Sequence, residues 1–209
     1  MNPIYTGHPL LRKYNNMKGQ ERFFYTYVLC YPIRKKSGIP ENFWKNKNVL
    51  VAGPKASEFP NILESIGANV FVVDKDPKRV YTNCYVGDIF NYKDKHDIII
   101  ASNSLQHNYN YDGLSVHIES LLNPNGLLFL CEKSSNLKTS WIENRVDPLW
   151  IRNCDDMVSL WGSLLNLIDI RWFTFSGTFP EIQDIYRVSK SYAKKIMFVG
   201  KKYDITEQK

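Results

Sequence analysis

Asn48-Val-Leu-Val-Ala52 runs directly into Gly53-Pro-Lys-Ala-Ser57, and this stretch decides the fold of the chain. The first five residues are the short apolar run of a buried strand, and the glycine marks a turn. A short helix is predicted from Glu58 to Ile66, and a second apolar strand, Asn69-Val-Phe-Val-Val73, ends on Asp74, which lies 21 positions after Gly53. Strand, glycine turn, helix, strand and terminal acid form a layout that binds ribose-bearing ligands in α/β proteins.

The chain continues as an alternation of strands and helices. Further strands are predicted at Tyr81–Val86, His96–Ser102, Leu127–Glu132, Ile168–Phe175 and Lys195–Val199, with helices at Leu114–Leu122 and Asp155–Asn166. The early strands are nearly continuous apolar runs, which indicates that helices cover both faces of the sheet. The late strands follow one another without a further strand-helix-strand unit between them.

The first 45 residues predict an appendage to this sheet. Apolar residues recur at roughly helical spacing between Leu10 and Val28, and the run Lys35–Pro40 breaks the pattern. We therefore divide the chain into an N-terminal helical cap or lid, residues 1–45, and a Rossmann-like α/β domain, residues 46–209.

Size and composition limit the functional classes. The chain of 209 residues, with 44% apolar and 14% aromatic residues, is long enough for one α/β domain with a large core. It has no apolar run of the roughly 20 residues that span a bilayer. The N-terminus also lacks the layout of a secretory signal, so a cytoplasmic protein without a membrane partner is expected. The net charge of +6 is concentrated towards the two ends, where nucleic acid is a possible partner but a solvated basic surface is favoured.

Two further motifs carry a resemblance to a known family. Asp97-Ile-Ile-Ile-Ala-Ser-Asn-Ser-Leu-Gln-His107 resembles the fourth strand and following turn of the class I S-adenosylmethionine-dependent methyltransferases. Leu122-Asn-Pro-Asn-Gly126 resembles the turn that precedes strand five in that family. The resemblance covers roughly Asn48 to Tyr203. It implies a three-layer, mostly parallel sheet of seven strands with a reversed strand in a C-terminal hairpin.

The glycine turn separates this family from the NAD-binding proteins. A dinucleotide site needs three turn glycines, and Lys55 and Ser57 stand where the second and third would fall. Because S-adenosylmethionine carries no phosphate, its binding depends less on these glycines. The acid that the family commonly has at the position of Val51 is also missing.

The resemblance implies S-adenosyl-L-methionine as the cofactor and a set of residues that bind it. Gly53 admits the ligand to the backbone, Ser57 caps the next helix towards the methionyl carboxylate, and Asp74 accepts the ribose hydroxyls. Three roles are open to Lys55: a solvated side chain, a carboxylate contact, or an obstruction of the site. The full implied set is Gly53, Lys55, Ser57, Asp74, Lys75, Asp88 (adenine amino group), Ile89 (adenine ring), Asn103 and Ser104.

His107 is the candidate catalytic residue, because a base removes the proton of a hydroxyl acceptor. Its alternative role is a local hydrogen bond that holds the turn. Gln106 replaces the glutamate frequent in the family, so no metal is expected at this turn. Tyr109 and Tyr111 either wall an acceptor pocket or fill the core.

The leading functional hypothesis is a methyltransferase that acts on an oxygen or nitrogen of a small-molecule or glycan acceptor. The alternatives are a catalytically inactive, methyltransferase-like binding or scaffold protein and, less favoured, a nucleic-acid methyltransferase. The oligomeric state stays open.

Overall fold

The computed structural model describes residues 23–29, 31, 40–102, 104–105, 110–133, 154–173, 182–183 and 195–203. The chain divides into two compact units, Met1–Tyr92 and Lys93–Lys209. The boundary predicted at residue 45 stays a prediction, because most of the predicted cap lies outside the described residues. Within the described part of the chain, no helix is long and apolar enough to cross a membrane.

Among its described residues, the first unit contains three parallel strands and two short α-helices. The strands are β1 (Asn48–Ala52), β2 (Asn69–Asp74) and β3 (Cys84–Val86), and the helices are α1 (Pro40–Trp44) and α2 (Phe59–Ser65). Four of the five residues of β1 are buried, as the continuous apolar run predicted. The first two strands confirm the sequence prediction, whereas β3 is three residues shorter than predicted and α2 is one residue shorter at each end.

Aromatic side chains pack the N-terminal segment against the rest of this unit. Phe23–Leu29 forms a π-helical segment. The Phe24 and Phe59 rings stack with their centroids 4.7 Å apart, and the indole N–H of Trp44 donates to the Leu29 carbonyl oxygen at 3.2 Å. These contacts remove large apolar rings from water on the α2 side of the unit.

The described residues of the second unit form five further strands and two longer α-helices. The strands are β4 (His96–Ser102), β5 (Leu122–Lys133), β6 (Leu165–Phe173), β7 (Ile182–Gln183) and β8 (Lys195–Lys202), and the helices are α3 (Tyr111–Ser120) and α4 (Cys154–Trp161). The side-chain oxygen of Asn110 caps α3 by accepting from the N–H of Gly113 at 3.0 Å. Asp155 and Asp156 lie in the first turn of α4, where negative charge is favourable.

The strand order confirms the predicted fold class. The order is β3-β2-β1 in the first unit and β4-β5-β8-β6-β7 in the second. The pair β4–β5 is parallel, whereas β8 lies between β5 and β6 and is antiparallel to both. This is the predicted reversed strand of a C-terminal hairpin. The two-residue β7 adds an eighth, very short strand to the seven predicted.

The predicted turn Asn123–Gly126 lies inside β5 as a bulge. The register between β4 and β5 shifts after the pair His96–Leu122, because β5 contains extra residues there. A Cβ on Gly126 would lie 2.8 Å from the carbonyl oxygen of Asn123. The close backbone approach therefore requires glycine at this position.

His96, the first residue of β4, is a buried titratable group with 1% of its surface exposed. Burial lowers its pKa from 6.5 to about 4, although the carboxylates of Asp94 and Asp97 act in the opposite direction. The imidazole is therefore neutral at pH 7 in the folded protein.

We expect the free energy of unfolding to rise between pH 4 and pH 6.5, because only the unfolded chain binds a proton at His96 in that window. The contribution is about 3 kcal/mol, present above the unfolded pKa and lost as the pH falls towards the folded pKa. Urea unfolding at a series of pH values measures it. His96→Gln should flatten the rise, and His117→Gln, at a half-buried position of α3, should preserve it. The same rise in the His96→Gln protein would contradict this assignment.

Candidate functional site

The turn Gly53–Ser57 joins β1 to α2 at the carboxyl end of β1. Gly53 has a φ of +64°, in the left-handed region that glycine enters without a steric penalty. Its N–H donates to the carbonyl oxygen of Val73 at 2.8 Å, which ties the turn to β2. Gly53 is half-buried. The glycine thus relieves the backbone of strain at this position, and its predicted contact with a ligand stays a prediction.

Lys55 adopts the same left-handed conformation without being a glycine. Its φ is +53°, which costs an L-residue roughly 1–2 kcal/mol. Its side chain is exposed, and its backbone N–H donates to Oδ2 of Asp74 at 2.7 Å. The choice among the three roles left open by the sequence stays a prediction. The backbone of Lys55 thus joins the turn to the carboxylate of Asp74.

Asp74 ends β2 as predicted, and its carboxylate is held by two backbone N–H groups. Oδ2 accepts from Lys55 at 2.7 Å, and Oδ1 accepts from Asp76 at 2.9 Å. The residue is buried, with 6% of its surface exposed. Hydrogen bonds from N–H groups to an ionised carboxylate are strong and directional. The orientation of the Asp74 carboxylate is therefore fixed before any ligand binds.

Asp88 follows β3 and caps a short 3₁₀ turn, Ile89–Asn91. Its Oδ1 accepts from the N–H of Phe90 at 3.1 Å, and its Oδ2 forms an ion pair with Nζ of Lys75 at 2.8 Å. The Lys75 side chain is 65% exposed and that of Asp88 34%, so water screens the ion pair and it contributes little to stability. Ile89 is buried, with 8% of its surface exposed. The first unit thus contains two acids after adjacent strands, with Lys75 beside the second.

The structure corrects the predicted role of Ser57. The N-cap position of α2 is Glu58, whose side chain makes no capping hydrogen bond. Ser57 precedes it, and its hydroxyl oxygen accepts from the N–H of Phe59 at 3.1 Å. The next helical residue, Pro60, has no N–H. Because one donor is engaged and another is missing, this helix end is poorly suited to hold the methionyl carboxylate.

The pKa of Cys84, at the start of β3, is affected by burial and by the charge of Asp74. Burial, and then the carboxylate of Asp74, raise the pKa of the Cys84 thiol. The thiol is therefore protonated at neutral pH and is a poor nucleophile. Among the described residues, no group of three or more histidine, cysteine and acidic side chains is arranged to hold a metal ion.

The residues predicted from the fourth strand are only partly described. Asn103 and His107 lie outside the described residues, so their roles stay predictions. Ser104 follows β4, and its hydroxyl is buried without a hydrogen-bond partner among the residues that the structure describes. A buried hydroxyl with an unused donor is suited to a polar ligand atom.

Tyr111, proposed as either a pocket wall or a core residue, belongs to the core. Its ring meets that of Trp161 edge to face, with centroids 6.2 Å apart, and 1% of its surface is exposed. Burial, and then the carboxylate of Glu132, raise the pKa of the Tyr111 hydroxyl well above its ordinary value, although the neighbouring Trp161 side chain acts in the opposite direction. Tyr111 is therefore a neutral phenol and cannot serve as a base.

Sequence reasoning missed Tyr81 entirely. Its hydroxyl lies 2.9 Å from the carbonyl oxygen of Lys55 and 3.0 Å from that of Ser57, so it bridges two residues of the turn. The sequence shows only a tyrosine in a predicted strand. No spacing pattern distinguishes it from a tyrosine that packs in the core.

Comparison with known proteins bears on the fold. No protein-family model matches this sequence, and no curated protein matches it. Solved structures do match. An S-adenosylmethionine-dependent methyltransferase from Mesorhizobium loti is 12% identical, with a TM-score of 0.59 over 84% of this chain and 99% of that chain.

Two other matching structures contain S-adenosylhomocysteine. The N-methyltransferase NodS from Bradyrhizobium japonicum WM9 is 12% identical, with a TM-score of 0.57 over 93% of this chain and 97% of that chain. The 1,6-didemethyltoxoflavin-N1-methyltransferase from Burkholderia thailandensis, with bound 1,6-didemethyltoxoflavin, is 13% identical, with a TM-score of 0.57 over 96% and 81%. The fold is that of the class I S-adenosylmethionine-dependent methyltransferases. At such low identities the likeness extends to the methyltransferase fold alone.

The left-handed conformation of Lys55 leads to a test of the turn. We expect Lys55→Gly to stabilise the protein by up to about 1 kcal/mol, because glycine adopts this φ without steric cost. Its greater freedom in the unfolded chain offsets part of the gain. Lys55→Ala is the matched control, since it removes the exposed side chain but keeps the Cβ. Urea unfolding compares the variants, and equal stability of the glycine and alanine proteins would show that the turn is unstrained.

Proposed function

We propose that this chain is an S-adenosylmethionine-dependent methyltransferase that acts on an oxygen or nitrogen of a small-molecule or glycan acceptor. The observation that carries the proposal is the carboxylate of Asp74, buried at the carboxyl end of β2 and oriented by two backbone N–H groups. Ligands of open α/β sheets bind beyond the carboxyl ends of the strands. A fixed acceptor at that position suits the paired hydroxyls of a ribose.

The residues of the first unit fit the adenosine half of the cofactor. An ionised carboxylate has about four acceptor positions, so Asp74 retains acceptor capacity beyond its two N–H donors. Asp88 is proposed to accept from the adenine amino group beside its contact with Lys75, and Ile89 to offer apolar surface to the ring. The turn at Gly53, where no Cβ stands in the way, is the proposed approach for the rest of the ligand.

Methyl transfer asks little covalent chemistry of the protein. When bound, S-adenosylmethionine supplies a methyl group already activated by a positive sulfur. The chain contributes proximity and alignment, which are the main sources of rate in such a displacement. We propose that Asn103 and Ser104 contact the methionine half and that His107 takes the acceptor proton.

The proteins with matching structures support a small acceptor for this chain. Two of them are N-methyltransferases, and one of these holds 1,6-didemethyltoxoflavin. This supports a small molecule with a nucleophilic nitrogen as one acceptor class for this chain. His107 would serve an amine as well as a hydroxyl, because either group loses a proton when it is methylated.

One observation favours the second candidate, an inactive methyltransferase-like binding protein. The N-terminal end of α2 has lost donors through Ser57 and Pro60, as described above. A cofactor carboxylate would therefore need its partners elsewhere. An inactive relative would tolerate this loss, whereas an enzyme would need a compensating contact from another segment.

A thermal-shift measurement separates the two candidates. S-adenosylhomocysteine at 100 times its dissociation constant should add about 2.7 kcal/mol to the free energy of unfolding. For a chain of this length the melting temperature should rise by roughly 5–10 °C. S-adenosylmethionine should act in the same direction, and ATP serves as an adenine-containing control. No shift with either sulfur ligand would favour the inactive candidate.

The role of Asp74 has its own test. We expect Asp74→Asn to weaken S-adenosylhomocysteine binding by roughly tenfold or more, because hydrogen bonds to a charged acceptor contribute about 1.5–3 kcal/mol. Isothermal titration of the folded variant gives the dissociation constant. Asp76→Asn is the matched control, since the Asp76 side chain is exposed and pairs with Lys78. Unchanged affinity in a folded Asp74→Asn protein would exclude this residue from the cofactor site.

A further inference from the structure

The residues from Asp74 to Tyr81 are here called the clamp segment. They contact each of the last three residues of the turn, Lys55 to Ser57, and Glu58, the N-cap residue of α2. Donors of the clamp segment form five hydrogen bonds to these residues. The bond that the Lys55 N–H donates to Asp74 is additional. These bonds join two stretches that are separated by all of α2 and β2. The turn is thus held from outside as well as by its own sequence.

Tyr81 is the central residue of this clamp. It is 7% exposed, and its hydroxyl lies 2.9 Å from the carbonyl oxygen of Lys55 and 3.0 Å from that of Ser57. A phenol has one proton to donate, so the two carbonyl groups share it. The Lys55 carbonyl oxygen also accepts the backbone N–H of Lys78 at 3.0 Å. The carbonyl group that follows the left-handed residue is therefore fixed by two donors.

Arg79 holds the other half of the turn. Its Nε donates to the carbonyl oxygen of Ala56 at 3.3 Å, and its terminal nitrogen contacts the carboxylate of Glu58 at 2.8 Å. The guanidinium group spans the two residues in a way that a single amine would not. Its contacts are at the surface, where each adds little stability but still restricts geometry.

The turn needs this support because its own sequence opposes its shape. Gly53 and Lys55 both have positive φ values within three residues, yet only one of them is a glycine. In the dinucleotide-binding pattern a glycine stands at the position of Lys55, and glycine adopts a positive φ without steric cost. Here hydrogen bonds from the clamp segment act on Lys55 from both sides of its backbone, through its N–H and its carbonyl oxygen.

We infer that the clamp segment takes the place of the missing glycine at position 55, and that Tyr81 is a positioning residue for the cofactor turn. The inference rests on the proposed function for its consequence in catalysis. Its structural core, that Tyr81 sets the conformation of the turn, stands on the contacts alone. Tyr81 acts through the backbone of Lys55 and Ser57 and does not touch the reacting atoms.

Hydrogen exchange tests the structural core without any ligand. In the Tyr81→Phe protein, the amides of Lys55 and Ser57 should exchange roughly two- to tenfold faster, the range expected for one hydrogen bond. Tyr203→Phe, which removes a hydroxyl from an exposed tyrosine of the second unit, should leave them unchanged. Arg79→Ala, at a partly exposed position, should act in the same direction as Tyr81→Phe. Unchanged exchange in both clamp variants would overturn the inference.

Ligand binding tests the consequence. Tyr81→Phe should raise the dissociation constant of S-adenosylhomocysteine by the same two- to tenfold, and in turnover it should raise KM for S-adenosylmethionine while kcat at saturation stays near the wild-type value. The change should be smaller when Tyr81→Phe is made in a Lys55→Gly protein, because glycine adopts the positive φ without the steric cost that the clamp offsets at Lys55. A general loss of folding would not depend on residue 55 in this way.

The failures of the two proposals are distinguishable. If the wild-type protein does not bind S-adenosylhomocysteine, the proposed function falls, and the exchange measurement still decides the clamp. If the wild type binds the ligand and Tyr81→Phe binds it equally well, with or without Lys55→Gly, the positioning role is overturned and the proposed function stands.

Discussion

The hydrogen bond from the Lys55 N–H to the Asp74 carboxylate is the constraint on which the site depends. β1 and β2 are parallel neighbours, with Val51 opposite Val72 and Ala52 opposite Val73, so their carboxyl ends meet at one edge. The chain leaving β1 and the chain leaving β2 must therefore share one small space. The 2.7 Å hydrogen bond from the Lys55 N–H to Asp74 fixes the position of the turn relative to the end of β2. A bond to a charged acceptor contributes about 1.5–3 kcal/mol, enough to offset a left-handed lysine.

The strands were predictable where the signal is local. β1, β2 and β4 are short, nearly uninterrupted apolar runs between turn residues, and their observed bounds agree with the sequence. β3 was predicted to begin at Tyr81 but begins at Cys84, because Tyr81 is engaged with the turn after β1. β5 was predicted to begin at Leu127 but begins at Leu122. The earlier start depends on pairing with His96, a contact across 26 residues that no local pattern reveals.

The residues of the candidate site also divide into those that a local sequence pattern indicates and those that depend on contacts distant in sequence. Asp74 was predicted because an acid at the end of an apolar strand is visible in the sequence, and Asp88 because Gly87-Asp-Ile resembles the family motif; their ligand contacts stay predictions. Ser57 was assigned to the helix end by residue type, but the helix begins two residues later and leaves Ser57 outside its N-cap position. Tyr81 was missed because its partners are backbone carbonyl groups, and every residue has one. For a bond between a side chain and a backbone carbonyl group, the sequence shows only the side chain and gives no sign of which carbonyl group it bonds.

The missing glycines have a physical consequence for how the site is built. Glycines would make the turn adaptable, whereas Lys55 holds its shape only while Asp74 and Tyr81 engage its backbone. Each neutral hydrogen bond contributes about 0.5–1.5 kcal/mol, and the strain at Lys55 is of similar size. One such bond would leave the turn balanced between conformations, and several together make one conformation dominant. Because the acid proposed to bind the ribose is itself one of the clamping groups, a ligand that weakened its bond to Lys55 would also loosen the turn. Binding is therefore expected to be strongest for ligands that use the remaining acceptor positions of Asp74 and leave that bond intact.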